Sequence, residues 1–262
     1  MSWLLFTLAA PLASFGRAGP LETRGSVPMP TRSALLGLLG GALGIRRGDT
    51  AALDALADAT RFACRVEQPG RLLRDYHTVQ TPSQSLLKKA PHKTRRDELA
   101  FASADLNTVL STREYHEDFR ATVGVHADAP ALQRYAHALE HPRFVPYLGR
   151  KACAPSWPFA PRSVDEASWE AALAAFDAVR AQESQRWGDA VRRARLPWPM
   201  PAPERQRQPQ PRHHAIERAL ADFVADRSQW RETIERDAPR DRLRWLFASN
   251  AWLQRTESGA PP

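Results

Sequence analysis

Cysteine is nearly absent from this 262-residue chain. Cys64 and Cys153 stand far apart with no CxxC or Cys/His spacing around them, so neither a structural zinc site nor a disulfide framework is indicated, and a reducing cytoplasm fits. Long apolar runs are also missing: nothing approaches the roughly 20 residues that a membrane-spanning helix requires. Trp3 to Ala13 imitates a short secretory leader, but no Lys or Arg precedes it, and it reads as a buried strand. There is no GxGxxG and no Walker-type Gly-Lys-Ser/Thr, so the glycines at 37, 40, 41 and 44 are not a nucleotide loop. Acidic charge is the minority, with Asp+Glu 29 against Lys+Arg 37, and the basic side is overwhelmingly arginine. The net charge of +8 favours a polyanionic partner, and guanidinium suits bidentate phosphate contacts and stacking. A hydrophobic content of 43% supplies a real core for one large or two small domains.

Trp3 to Leu8 fits a central strand buried on both faces. Thr31 caps a helix over 32–44, with Leu35, Leu36, Leu39 and Leu43 at helical spacing and a glycine cluster that implies close packing. Residues 49–59 read as a second helix. Phe62, Cys64 and Val66 alternate as a half-buried strand, and Ala121, Val123 and Val125 repeat that pattern. Between them, Gln68 to Phe119 is polar, basic and poor in periodicity, with Lys88, Lys89, Lys93, Arg95 and Arg96; a loop of that length is functional or disordered. Pro130 to His141 reads as an amphipathic helix. Strand, helix, strand, strand, helix opens a ferredoxin-like α+β unit of the kind found in RNA-recognition domains.

The remaining third reads as a helical hairpin insertion over 161–240 before a late core strand. Its first helix carries Trp169, Leu173, Phe176, Trp187 and Val191. Its second, His214 to Arg236, carries Ile216, Leu220, Phe223, Trp230 and Ile234. A linker over 197–211 with Pro197, Pro199, Pro201, Pro203, Pro209 and Pro211 separates them. The late strand is expected over Arg242 to Trp252, with Leu243, Trp245 and Phe247 on one face, in a final segment 241–262.

Pro146-Tyr147-Leu148-Gly149-Arg150-Lys151 places an aromatic plane, a glycine and two cations in one turn. Tyr147 can stack on an unpaired base, Gly149 can let backbone approach a phosphate, and Arg150 and Lys151 can neutralise it. His77 beside Tyr76, or His116 beside Tyr115, offers groups for metal-independent RNA cleavage. His137 and His141 have the spacing of a two-histidine grip but no HExxH motif and no third ligand, and His213-His214 reads as a solvated helix start, so no metal site is expected. Glu166, Glu170, Asp177 and Glu183 lie among arginines as a solvated face. Trp169, Trp187 and Trp230 are candidate docking anchors for a scaffold role, although packing on one another is the simpler reading.

Four segments together carry a resemblance: residues 30–40 (PTRSALLGLLG), 73–79 (LRDYHTV), 112–115 (TREY) and 142–151 (PRFVPYLGRK). In this order and spacing, over residues 1–160, the chain resembles the CasD-type subunits of type I-E CRISPR surveillance complexes, a branch of the repeat-associated RAMP superfamily. The resemblance implies a ferredoxin-like core over 1–160 with an arched β-hairpin thumb at about 68–119. It implies a non-catalytic subunit that holds the 5′ handle of the guide RNA (crRNA), touches the backbone and large subunits, and meets target DNA only indirectly. No cofactor is implied. Carried onto this sequence, the RNA contacts are Arg32, Arg74, His77, Arg113, Tyr147, Gly149, Arg150 and Lys151. Relatives in another subtype cut precursor RNA themselves, so an endoribonuclease is the enzymatic alternative and an assembly scaffold the third.

Overall fold

A computed structural model of the chain describes residues 2–16, 23–89, 94–100, 103–194, 211–241 and 246–257. The chain runs through β1 (Ser2–Ala13), β2 (Thr23–Arg24), α1 (Arg32–Leu43), α2 (Thr50–Ala59), β3 (Arg61–Gln68), β4 (Arg71–Pro82), α3 (Gln84–Lys89), α4 (Arg95–Glu98), β5 (Leu106–His126), α5 (Ala129–Glu140), β6 (Arg162–Asp165), α6 (Trp169–Ala194), β7 (Arg212–Glu217), β8 (Arg231–Asp241) and β9 (Leu246–Glu257). One large sheet results, in the order β6-β1-β5-β3-β7-β9-β8, with β2 and β4 joined to β5 off that path. All pairs are antiparallel except β2 with β5.

β1 lies inside the sheet because both of its faces are apolar. Successive side chains point to opposite faces, so Leu4, Phe6 and Leu8 pack with Leu35, Leu39, Tyr135 and Leu139 on the side of α1 and α5. Trp3 and Leu5 pack with Trp169, Leu173 and Phe176 of α6 on the other side. Thr31 Oγ1 accepts the Ala34 N–H at 3.3 Å and starts α1 as expected. Within the glycine cluster, close packing holds at Gly40, where a Cβ would lie 3.3 Å from Leu53, while Gly37 and Gly41 face open space.

β5 is the strand on which the molecule turns. Its inner residues pair with β1 and β3, and its outer residues, from Leu106 to Glu117, pair with β4. β3 and β4 follow one edge of β5. The register shifts between Val66 and Gln68, the chain turns at Pro69-Gly70, and pairing resumes at Arg71↔Glu117 and continues to Pro82↔Leu106. Gly70 has φ 76°, and a Cβ there would lie 2.0 Å from the Glu117 carbonyl oxygen, so only glycine fits. The segment expected as an aperiodic loop is therefore a long two-stranded ribbon ending in the short helices α3 and α4. Its periodicity is invisible because only its base, at Leu73 and Tyr115, meets the core: farther out Tyr76, Val79, Val109 and Leu110 are all exposed, and without one buried face no alternation is selected.

The last third departs most from the sequence reading. α6 forms, starting at Trp169. The second expected helix does not form: His214 lies in β7 and Ile234 in β8, joined by 3-10 turns. Ala215 and Ile216, on opposite faces of β7, are both fully buried because β7 lies between β3 and β9, and such a two-sided burial mimics helical spacing. Ile234, counted on the helix's apolar face, is 68% exposed. The final strand runs later than expected, with Trp252 and Leu253 as its buried residues; Leu243 and Trp245 lie outside the described residues, as does most of the proline linker. Residues 161–240 are not an appended hairpin, because β7 and β8 are strands of the sheet. Trp169 and Trp230 are buried in the α6 cluster and offer no docking anchor.

Candidate nucleic-acid interface

The base of the ribbon is organised by a carboxylate. Glu114 on β5 accepts the Ser26 N–H at 3.2 Å through Oε2 and the Arg74 Nε–H at 3.2 Å through Oε1. Its backbone carbonyl accepts the Ser14 hydroxyl at 2.9 Å and Arg150 Nη1 at 3.1 Å. Arg74 and Glu114 are direct cross-strand partners, which puts both on one face of the ribbon. Arg150 also donates to the Arg24 carbonyl at 2.9 Å and lies 4.7 Å above the Tyr115 ring. Four chain segments (the end of β1, β2, β5 and the loop after α5) are thereby tied together.

The loop carrying Tyr147 docks on the end of β1. Ser14 N–H donates to the Leu148 carbonyl at 3.1 Å, and Leu148 N–H donates to that of Cys153 at 2.8 Å. Gly149 has φ 87°, and a Cβ there would fall 1.7 Å from the Ser14 carbonyl oxygen. Its missing side chain therefore serves this close approach to β1, not an approach to phosphate. Tyr147 remains 42% exposed and Lys151 exposed at the loop's surface.

Arg113 differs from its neighbours. It stands opposite Asp75 on β4 and beside Arg24 on β2, but Asp75 Oδ2 is held by His77 Nε2 at 2.5 Å. The Arg113 Nε is buried and has no hydrogen-bond partner. An unsatisfied buried donor on a cation is costly unless a ligand completes it. His77 lies three residues beyond Arg74 along β4, on the face that Asp75 and Arg113 share, and is half-buried.

Arg32 leaves the candidate set. It is 7% exposed, and its guanidinium is bound to Glu217 and to the carbonyls of Ala57 and Thr60. Its backbone N–H donates to Asp237 Oδ2 at 2.8 Å. Burial lifts both carboxyls above the ordinary range, although Arg32 pulls each one down. This is a structural clamp joining α1 and α2 to β7 and β8.

The two Tyr-His neighbour pairs are not single sites, because adjacent strand residues face opposite ways. His116 is 6% exposed, and burial lowers its pKa. Among the described residues, no group of three or more His, Cys, Asp or Glu could hold a metal. No helix there is long and apolar enough to cross a membrane. Tyr147, Arg150 and Lys151 are tied to the ribbon base through Glu114 and Ser14, Arg74 lies on the Glu114 face, Arg113 and His77 lie on the opposite face with Asp75, and Arg32 is elsewhere. Glu114 was missed as an organiser, although it adjoins Arg113 in the TREY segment. Nothing local to Ser14 or Arg24 signals a role: Ser14 acts through its N–H and hydroxyl, and Arg24 through its backbone carbonyl.

Residues 3–247 match the family described as CRISPR-associated protein (Cas_Cas5). The chain is similar to the CRISPR system Cascade subunit CasD of Escherichia coli (strain K12), at 34% identity over 163 residues, 58% of this chain and 66% of that protein. The chain thus matches just under two thirds of that relative's length. Its fold is similar to a chain of a CRISPR RNA-guided surveillance complex, with TM-score 0.60 and 23% identity over 99% of this chain and 91% of the other. It is also similar to a solved Cas protein, with TM-score 0.52 and 21% identity over 99% of this chain and 100% of the other.

Proposed function

Because the chain belongs to the CRISPR-associated Cas5 family, we propose that it is the subunit of a Cascade-type surveillance complex that holds the 5′ handle of the guide RNA, without cutting it. The carrying observation is Arg113, a half-buried cation with an unpartnered Nε at the ribbon base. Arg150, over Tyr115 on the same face of β5, is already spoken for by the Glu114 and Arg24 carbonyls, so Arg113 is the guanidinium there with a donor left unmatched for an incoming phosphate. Tyr147 supplies an exposed plane for an unpaired base, and Lys151 a second free-standing charge. Arg74 and Arg150 brace the ribbon base and add field; His77, steadied by Asp75, borders the RNA path along the ribbon.

The core supports the same reading. β1, β3, β5 and β6, with α1 and α5 between them, follow a β-α-β-β-α-β path in the sheet order β6-β1-β5-β3, which is the ferredoxin-like arrangement. β6, not the late strand, takes the fourth place. The β4–β5 ribbon is the thumb, with its tip and exposed apolar residues toward the backbone subunit; the large subunit, and target DNA through it, lie beyond the handle.

Binding of single-stranded handle RNA measured across a salt series tests this. Arg113→Ala lowers the slope of log K against log salt by about 0.7, one single-strand phosphate contact. Tyr147→Ala costs about 1–3 kcal/mol of affinity and leaves the slope unchanged. Handle binding that ignores salt sinks the proposal, and specific cleavage of precursor RNA abolished by His77→Ala replaces it with an endoribonuclease.

A further inference from the structure

The geometry points to a bidentate site for a borderline divalent transition metal at the C-terminal end of α5, made by His137 and His141. His137 lies in the last turn of the helix and His141 is its C-cap. The His141 N–H donates to the His137 carbonyl at 2.9 Å, which fixes one backbone position relative to the other. Both side chains are exposed, and their ring centroids are 4.8 Å apart with planes tilted by 30°.

That separation leaves room for one ion shared between the rings. With metal–nitrogen bonds of about 2.0–2.1 Å, an ion sits roughly 3.2 Å from each imidazole centroid, and centroids subtending about 90–110° at it are about 4.5–5.2 Å apart. The surrounding charge agrees. The C-terminal carbonyls of α5 present the negative end of the helix dipole. The nearby arginines are engaged elsewhere: the Arg134 guanidinium lies over the Tyr135 ring, and the Arg143 side chain runs against Gly44. Imidazole pairs suit Zn²⁺, Ni²⁺ and Cu²⁺. With no third protein ligand among the described residues, the other positions belong to water or an exchangeable donor, so the ion is labile. The site stands apart from the RNA reading and does not depend on it.

Calorimetric titration of the full chain, freed of metal by a chelator, with Zn²⁺ tests the assignment. The wild type takes one ion per chain, and His137→Ala or His141→Ala each lowers the affinity at least tenfold; both positions are exposed, and urea unfolding checks that the variants fold. The Cu²⁺-loaded wild type shows magnetic-resonance coupling to two imidazole nitrogens, and either variant to fewer. The rival donors are His77 with Asp75, and His213 beside Thr256. Zn²⁺ binding unchanged in the double variant but lost in His77→Ala or His213→Ala overturns the proposal, as does no binding by the wild type at millimolar Zn²⁺.

Discussion

Arg32→Met separates a structural cation from an RNA-binding one. The Arg32 and Glu217 side chains are 9% and 4% exposed, and Glu217 Oε1 also accepts the Phe62 N–H at 2.9 Å. Removing the guanidinium leaves a buried carboxylate without its cation and takes one donor from the Ala57 and Thr60 carbonyls, which Arg61 Nη1 still reaches. Breaking such a pair costs about 3–5 kcal/mol, a large part of the roughly 5–15 kcal/mol that holds a domain together. Arg32→Met/Glu217→Gln removes the stranded charge while keeping an acceptor for Phe62, and recovers at least half of the loss. The single variant also carries a pH signature. Burial already raises the Glu217 pKa; without Arg32 it rises further, so the folded state binds the proton more tightly than the unfolded one and the deficit grows as pH rises through that raised value. Urea unfolding of wild type, single and double variants at several pH values measures these terms, and a handle-RNA salt series on folded protein accompanies it. A single variant within about 1 kcal/mol of wild type whose salt slope falls by about 0.7 refutes the clamp and returns Arg32 to the RNA surface.

Gly149→Ala forces a Cβ into the Ser14 carbonyl and lifts the Tyr147 loop from β1; handle affinity falls more than tenfold in a binding titration. Gly41→Ala fills open space in α1, leaves binding unchanged and raises stability by up to about 1 kcal/mol in urea unfolding. His214 is 2% exposed, and burial, opposed by Glu257, lowers its pKa to about 4. Its native pKa lies below the unfolded value of about 6.5, so its contribution is complete above pH 6.5 and disappears as pH falls toward 4, by about 3 kcal/mol. Unfolding free energies measured between pH 7 and 4 show that decline, and His214→Gln flattens it.

The two-sided apolar run of β1 and the leucine spacing of α1 and α5 were legible because each meets a core, and burial writes periodicity into sequence. The ribbon was legible as an element only through resemblance: beyond Leu73 and Tyr115 at its base it meets no core, so little alternation is written into it. β7 misled for the opposite reason, since Ala215 and Ile216 are buried on both sides and then followed by Leu220 at helical distance. At the interface, Tyr147 and Arg113 could be named from motifs, but charge type alone could not separate Arg113 from Arg32. That distinction depends on Glu217, 185 positions away along the chain, and no local pattern carries it.

The 21 residues of β5 belong to two environments at once: Val123 is enclosed between β1 and β3, while Val109 is washed by solvent in the ribbon. One unbroken peptide strand therefore acts as a lever whose fulcrum lies where Gly70 meets Glu117, next to Asp118 with its φ of 60°. Amide hydrogens along it must exchange in a steep gradient, fast outward and slow inward. A neighbour that pulls on the ribbon's tip pulls directly on the most deeply held strand in the molecule.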